Sequence, residues 1–480
     1  MTDNTQNTYP LDLHGFIAYL EAEHPEEIVR ITKEVDPKFG VSGILHRLEK
    51  DEQFPLVIFE NIKGSKIPLV ANMHASFERL RYGIGMEEGS IKDFLAECAD
   101  REAKPVKPIQ FIGEPPVQEI VKLGSEVDVH ELPVCTYHEK DSGPFITAGM
   151  ALMKDPDTGI NNIGIYRHEV HEKNLLGVQV SETADGNVIW KNYESRGEPC
   201  PIAIIIGHHP GFFIGTLAFS SMDTDELDIA GAMLQSPIGM VPCKTIPLEV
   251  PANADIVLEC VTIPGKRRKE APFGEYPGTY GPQRNNPVLE VKAITRRRDA
   301  LYQNAFVGHA DNLLLSGIIR TTFIERTVKI ACPTVHEIVV PRSGRFRFFC
   351  FISIKKMMEG EPKQAAMAAF VADPFLKFVV VVDEDVDGGR RHEDTGEAAD
   401  DEHRHERQRT QHRRVEAIRC LHPMQRVEKL TVGTMGYEVF VVGWWRSRFF
   451  QDIDDGQSPD VREVLNLGAV RYLAVQFGRI

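Results

Sequence analysis

The stretch Asn161-Asn162-Ile163-Gly164-Ile165-Tyr166-Arg167 sets an amide and a guanidinium five residues apart in an apolar, β-prone run. An Asn offers a carbonyl oxygen to a metal ion, and an Arg offers a planar fork of donors to a carboxylate or phosphate. Side chains alternate faces along an extended strand. Asn162 and Arg167 therefore face opposite sides unless a bulge or bend intervenes, and Gly164 between them permits one. The plain alternative is a strand with an edge Asn and a salt-bridging Arg. A second stretch, Glu270-Ala271-Pro272-Phe273-Gly274-Glu275-Tyr276-Pro277-Gly278, holds two carboxylates around a Pro-Phe-Gly turn of the kind that lines a cleft. Two neighbouring acids push each other's pKa apart, so one can carry a proton near neutral pH while the other stays charged. A third stretch, Ser221-Met222-Asp223-Thr224-Asp225-Glu226-Leu227, leads into an Ala- and Gly-rich apolar run that reads as a helix start.

Taken in order, the chain resembles the UbiD-like decarboxylase family, whose cofactor is prenylated FMN. The resemblance is carried by LPVCTYHEKDSGPFITAGMAL, DPDTGINNIGIYR, SSMDTDELDIAGAML, ADIVLEC, KEAPFGEYPGTYG, FISIKK and VVVVDEDVD, spread from Leu11 to Asp387. The arginine strand and the double-glutamate turn are specific together and not singly. Removing carbon dioxide from an sp² carbon leaves a carbanion that no standard side chain can delocalise, so a cofactor must supply the electron sink. The resemblance implies that Arg167 orients the substrate carboxylate and keeps Glu270 ionised, and that Glu275 is the proton donor with Glu270 as its partner. It implies that the cofactor phosphate is held through Mn2+ or Mg2+, with K+ nearby, and that Asn162 and Glu226 are two of the oxygen ligands. The third ligand in such proteins is commonly a His about sixteen residues after the arginine. Here that neighbourhood reads Val180-Ser181-Glu182-Thr183-Ala184-Asp185, with no His. Thr183 is closest to the expected place, and Glu182 is the better ligand. Gly164, Ile165, Ser221 and Met222 match positions that contact the flavin, and Lys355 is either a phosphate contact or a surface lysine.

The elements that must position these groups follow from patterning. A chain of 480 residues calls for two or three domains. Residues 1–125 read as an α/β module, with helical spacing of Leu13, Phe16, Ile17 and Leu20 and strands at Glu27 to Val35 and Pro55 to Phe59. Residues 126–305 are rich in short strands: Phe145 to Met153, Ile163 to Val170, Ile202 to Ile206, Ile256 to Ile263 and Val288 to Ile294. These read as a barrel or sandwich, and by resemblance as the split β-barrel that holds the flavin. Residues 306–387 return to α/β, with a strand at Phe346 to Ile354, a helix at Gln364 to Ala372 and a buried strand at Phe378 to Val382. The fold class expected is α/β (α+β). Residues 388–414 are dense in His, Arg, Asp and Glu and read as a disordered insert or a reading-frame error, and 415–480 form a C-terminal region of undefined structure, globular-looking from Val415 to Val439 and with a helix and strand pattern in Val461 to Ile480.

Composition excludes several functions. A formal charge of -15, from 55 basic and 70 acidic residues, argues against general nucleic-acid or anionic-membrane binding. Eight cysteines without a Cys-x-x-Cys pair point to a reduced cytoplasm, and no apolar run predicts a membrane span. Gly83, Gly85 and Gly89 do not fit a dinucleotide fingerprint. His168-Glu169-Val170-His171 is not a zinc motif, because its two His lie on opposite strand faces. His138 and His309 rank below the glutamates as groups facing the substrate. The expected function is reversible, non-oxidative decarboxylation of a small aromatic or α,β-unsaturated acid. A flavin prenyltransferase would supply the cofactor, and the assembly would be a homodimer or homohexamer. The rival is a non-catalytic or assembly subunit of a heteromeric carboxylase.

Overall fold

The protein is described from a computed structural model covering residues 10–182, 184–218, 222–270, 272–384 and the backbone of 440–443. The expectations for Thr183, Ser221, the segment 388–414 and most of 415–480 lie outside the described residues.

The N-terminal part is a four-stranded sheet in the order Ile28–Ile31, Leu56–Phe59, Leu69–Ala71, Tyr302–Gln303. The helix Leu13–Glu23 packs on it through Leu13, Phe16, Ile17 and Leu20, the residues whose spacing predicts that helix. Its N-terminus is capped by Asp12, whose side chain accepts a 2.7 Å hydrogen bond from the Gly15 N–H. The last strand of this sheet arrives from beyond the central segment. In exchange, Ile120–Leu123 pairs with the central strand Arg284–Arg296. Two strands thus cross the boundaries expected at 125 and 305.

The central sheet has nine strands. Its path runs Phe145–Ile146, Arg167–Glu172, Leu175–Gln179, Arg284–Arg296, Ile256–Glu270, Pro201–Ile206, Met150–Lys154, Asn161–Ile165, with Ile120–Leu123 joining at Arg284–Arg296. The runs expected as single strands at 145–153 and 163–170 are each interrupted, and the interruptions face each other. Ile146 pairs with His168, and Met150 pairs with Ile165. One strand therefore advances four residues while its partner advances three, with a 3.4 Å bond from the Tyr166 N–H to the Gly149 carbonyl between them. This is a one-residue bulge, and it brings the two ends of the sheet path together. The extra residue lies between Ile146 and Met150, opposite the break at Tyr166, and not at Gly164. Gly164 instead leaves room for the Tyr166 ring, since a Cβ there would stand 2.8 Å from the phenol oxygen.

The C-terminal part is a sheet in the order Val335–Val339, Phe349–Ile354, Phe378–Asp383, Phe440–Gly443, packed on the helices Ala310–Ala331 and Glu361–Ala372. The 22-residue helix Ala310–Ala331 has no counterpart in the sequence reading. Its buried residues include Asp311 and Thr321 among the apolar ones, so its apolar stripe is broken. No helix among the described residues is long and apolar enough to cross a membrane.

One ionic cluster ties the first and last parts together beside the double-glutamate turn. Glu49, near the end of the helix Gly40–Lys50, pairs with His309 and accepts a 2.7 Å bond from Arg342. Burial pushes the Glu49 carboxyl up, but the bonds and charges of His309 and Arg342 outweigh burial and bring it from 4.5 to about 2. A depressed folded-state pKa contributes stability that is complete above pH 4.5 and is lost as pH falls toward 2. Glu49→Gln should therefore lose less stability than the wild-type chain across that window in acid-denaturation curves followed by circular dichroism. Parallel curves would contradict the clamp.

Candidate active site

Arg167 is the first residue of its strand, immediately after the break at Tyr166, and Glu270 is the last residue of Ile256–Glu270. Strand termini deliver both side chains to one edge of the sheet. The guanidinium spans two acids: Nε donates to Glu270 Oε1 at 2.9 Å, Nη2 bonds the same oxygen, and Nη1 bonds Glu275 Oε1. The Arg167 and Glu270 side chains are 12% and 3% exposed, and Glu275 is 23% exposed. Glu270 is thus the buried anchor, and Glu275 the acid that reaches the opening. Asn286, on the neighbouring strand, donates to the other Glu270 oxygen at 2.7 Å, so both oxygens of the buried carboxylate are satisfied. The guanidinium carbon lies 5.0 Å from the centre of the Phe273 ring.

The turn carrying Glu275 is held by its own backbone. The Glu275 N–H donates to the Thr279 carbonyl, and the Gly278 N–H donates back to the Glu275 carbonyl, both at 2.9 Å. Gly278 has φ +83°, a conformation that favours glycine. Asp141 fastens the turn from outside, accepting from the N–H groups of Gly274 at 2.9 Å and His138 at 2.8 Å. A Cβ at Gly281 would stand 2.9 Å from Glu275 Cγ, and one at Gly308 would stand 3.0 Å from the Glu275 carbonyl oxygen. The side chain is therefore boxed in by close backbone approach.

Around the turn lies an aromatic wall. Phe306 stacks on His309 at 3.6 Å and on Tyr137 at 5.7 Å, and His138 lies 5.5 Å from Phe306 and 6.2 Å from Tyr280. His138 and His309 both border the turn, and His309 is committed to Glu49.

Sequence reasoning passed over Glu169. It lies two residues along the strand from Arg167, hence on the same face, and it is buried with a bond from the Ser142 hydroxyl to one oxygen. Burial pushes its carboxyl up, and the charge of Glu270 adds to this. The period-two spacing from Arg167 was the available signal. His168, between them, faces the core with both ring nitrogens unbonded, and burial lowers its pKa to about 3.

A second group of polar atoms gathers at the other end of the same segment. Asn162 Nδ2 donates to Glu226 Oε1 at 2.9 Å. Glu226 opens the helix Glu226–Leu234, capped by Asp225 as the helix-start pattern predicts. Asn162 Oδ1 and Glu226 Oε2 are buried and have no hydrogen-bond partner. Burial pushes the Glu226 carboxyl up to about 7, against the hydrogen bond from Asn162. Both residues line a small cleft of about 10 Å³ with Asp155, Asn161, Asp185, Met222 and Thr224. Two orphaned buried oxygens facing a cleft of that size fit a hard cation. Among the described residues no three His, Cys, Asp or Glu side chains converge. Glu182, expected to complete such a site, is exposed and does not line the cleft, because the chain reaches the cleft only at the start of the helix Asp185–Ser195. Met222 lines the cleft while 45% exposed. Gly164 and Ile165 lie on the strand between the two groups. Lys355 is exposed just past the C-terminal strand Phe349–Ile354.

The turn is most vulnerable at Gly274, where a Cβ would stand 2.2 Å from His138 Nδ1. Gly274→Ala should cost about 1–3 kcal/mol of stability by overpacking and lower kcat about tenfold or more by displacing Glu275. The double variant Gly274→Ala/His138→Ala should recover much of both. A single variant with wild-type melting temperature and kcat would show that the turn is not fixed in this way.

Known proteins resemble this chain over most of its length. Profiles described as the N-terminal, Rift-related and C-terminal domains of 3-octaprenyl-4-hydroxybenzoate carboxy-lyase match residues 20–98, 111–310 and 314–389. The chain is 33% identical over 362 residues to the anhydromevalonate phosphate decarboxylase of Methanothermobacter thermautotrophicus, covering 75% of this chain and 82% of that protein. An evolved dimeric form of the UbiD-class enzyme HmfF from Pelotomaculum thermopropionicum, solved in complex with prFMN, is 34% identical with a TM-score of 0.74, covering 79% of this chain and 87% of that one. Vanillic acid decarboxylase from Sedimentibacter hydroxybenzoicus is 28% identical with a TM-score of 0.71, covering 79% of this chain and 82% of that one. The chain belongs to the UbiD family of carboxy-lyases.

Proposed function

We propose that the chain reversibly decarboxylates a small aromatic or α,β-unsaturated carboxylic acid, with prenylated FMN bound beside Arg167 and anchored through Mn2+ or Mg2+, with K+ beside it. The observation that carries this reading is the Arg167 fork between a buried, doubly bonded Glu270 and a more exposed Glu275. When bound, the flavin would supply the electron sink for the electron pair that departing carbon dioxide leaves on the substrate carbon.

The chain's own residues account for the rest. Arg167 offers a fixed planar fork to the substrate carboxylate, and Glu270 holds that fork in place by taking Nε and Nη2 together. Glu275 shares only Nη1, so a substrate carboxylate can displace it without freeing the arginine. Once displaced and protonated, Glu275 can deliver its proton to the carbon that has lost carbon dioxide. The aromatic wall of Tyr137, Phe273 and Phe306 keeps water from competing for that carbon. Asn162 and Glu226 would hold the ion that anchors the cofactor phosphate. Five extended residues separate them from Arg167, roughly 16 Å at most, so the cation end and the carboxylate end are apart along one segment. Relatives named for anhydromevalonate phosphate and for vanillic acid support a reading in which one scaffold serves chemically different acids. A flavin prenyltransferase would supply the cofactor, and a homodimer or homohexamer remains the assembly we propose. The complete arginine and glutamate set disfavours a non-catalytic subunit.

The test is co-expression with a flavin prenyltransferase, mass and visible spectrum of the bound flavin, and turnover of a panel of unsaturated acids. Arg167→Ala and Glu275→Gln should retain the bound flavin and the fold while losing about 10²–10⁴-fold in turnover. Near-normal turnover in either variant would sink the assignment of roles.

A further inference from the structure

The cleft at Asn162 and Glu226 contains more oxygen acceptors than donors. Glu226 is only 5% exposed, and its Oε2 faces the cleft with nothing to bond, as does Asn162 Oδ1. A lone buried carboxylate oxygen beside a lone buried amide oxygen is costly unless a cation lies between them. The third side of the cleft is the first turn of the helix Asp185–Ser195. Asp185 is the first residue of that helix and lines the cleft. The next residue presses the helix against the site. A Cβ at Gly186 would stand 3.3 Å from Asn162 Oδ1 and 2.6 Å from the Tyr166 hydroxyl. Only a residue without a side chain at 186 lets the helix start come this close to Asn162.

We propose that Asp185 is the third oxygen ligand of a divalent cation held with Asn162 and Glu226. The inference rests on the reading of a metal-anchored flavin and names which of this chain's residues stands where a His was expected. Its consequence is a change in metal preference. A site of one amide and two carboxylate oxygens is all-oxygen and carries two negative charges. It favours hard cations such as Mn2+, Mg2+ and Ca2+. A site with imidazole in the third place shifts toward Zn2+, Ni2+ and Co2+. The absence of the His is then a substitution of ligand chemistry and not a loss of the site.

The experiment uses the full-length chain stripped of metal by chelation. Mn2+ is titrated into it with and without FMN, and free Mn2+ is followed by its electron paramagnetic resonance signal. The wild-type chain should bind one Mn2+, more tightly with FMN present. Asp185→Ala should weaken Mn2+ binding at least tenfold, and Asp185→Asn, which keeps one oxygen ligand, should fall between. Glu182→Ala should bind as the wild type does. Asp185→His should gain affinity for Ni2+ or Zn2+ relative to Mn2+. Circular dichroism of each variant separates loss of a ligand from loss of fold, and Asp185→Asn serves if Asp185→Ala is unfolded. Unchanged Mn2+ affinity in folded Asp185→Ala or Asp185→Asn would overturn the inference, as would loss of binding in Glu182→Ala or no Mn2+ binding by the wild type. Turnover of unsaturated acids distinguishes the two levels. Activity with unaltered metal binding in the Asp185 variants removes the ligand and keeps the decarboxylase. Mn2+ bound through Asp185 in a chain that decarboxylates none of the acids supports the ligand and removes the decarboxylase.

Discussion

The rest of the structure depends on the burial of one charge. Arg167 places a guanidinium at the edge of a sheet where it is 12% exposed, and such a charge is tolerated only if it is paired and hydrogen-bonded. Glu270 provides the pairing and is itself almost fully enclosed, so Asn286 is needed to satisfy its second oxygen. Glu275 takes the remaining edge of the fork from a turn that four glycines, Gly274, Gly278, Gly281 and Gly308, allow to close tightly. The chain commits three strands, a turn and the loop before the helix Ala310–Ala331 to hold this arrangement. A structural ion pair could be replaced by apolar residues at little cost. The unequal exposure of the two acids is the feature that a purely structural pair does not need.

The break at Tyr166 separates two polar groups carried by one segment. The extra residue of the bulge belongs to the facing run between Ile146 and Met150, so it is the break itself that divides the segment from Asn162 to Arg167. On one side of the break the Asn162 amide nitrogen bonds Glu226, and on the other the Arg167 guanidinium bonds Glu270. A cleft with two unpartnered oxygens and a guanidinium fork are thereby set apart along a short length of chain. The two facing strand runs are both interrupted at this point, so the irregularity bears on fold and site together.

Much of this was legible in the sequence, and the reasons differ by element. The helix Leu13–Glu23 and the strand Pro201–Ile206 follow from apolar spacing and bury the residues that predict them. The helix beginning at Glu226 follows from its acidic start and the Asp225 cap. A bulge or bend at Gly164 was allowed for by parity, but the extra residue lies on the facing strand between Ile146 and Met150, and the segment itself breaks at Tyr166. A glycine marks permissiveness, and here Gly164 was required by the Tyr166 ring and not by backbone geometry. Arg167, Glu270 and Glu275 were read from resemblance and come together in space. The long helix Ala310–Ala331 was missed because its buried Asp311 and Thr321 break the apolar stripe. Asp185 was not singled out because the linker before its helix offers Glu182 as a better-looking ligand, and only the packing of that helix start against Asn162 places Asp185, and not Glu182, along the cleft.

The central claim is that Glu275, and not the buried Glu270, carries the proton that the substrate carbon receives. It is tested most directly by incubating the decarboxylated product with the flavin-loaded chain in deuterium oxide and following deuterium entry at that carbon by NMR. The account predicts exchange by the wild-type chain and by Glu169→Gln, and none above background by Glu275→Gln with flavin still bound. Exchange at the wild-type rate in flavin-loaded Glu275→Gln would contradict it.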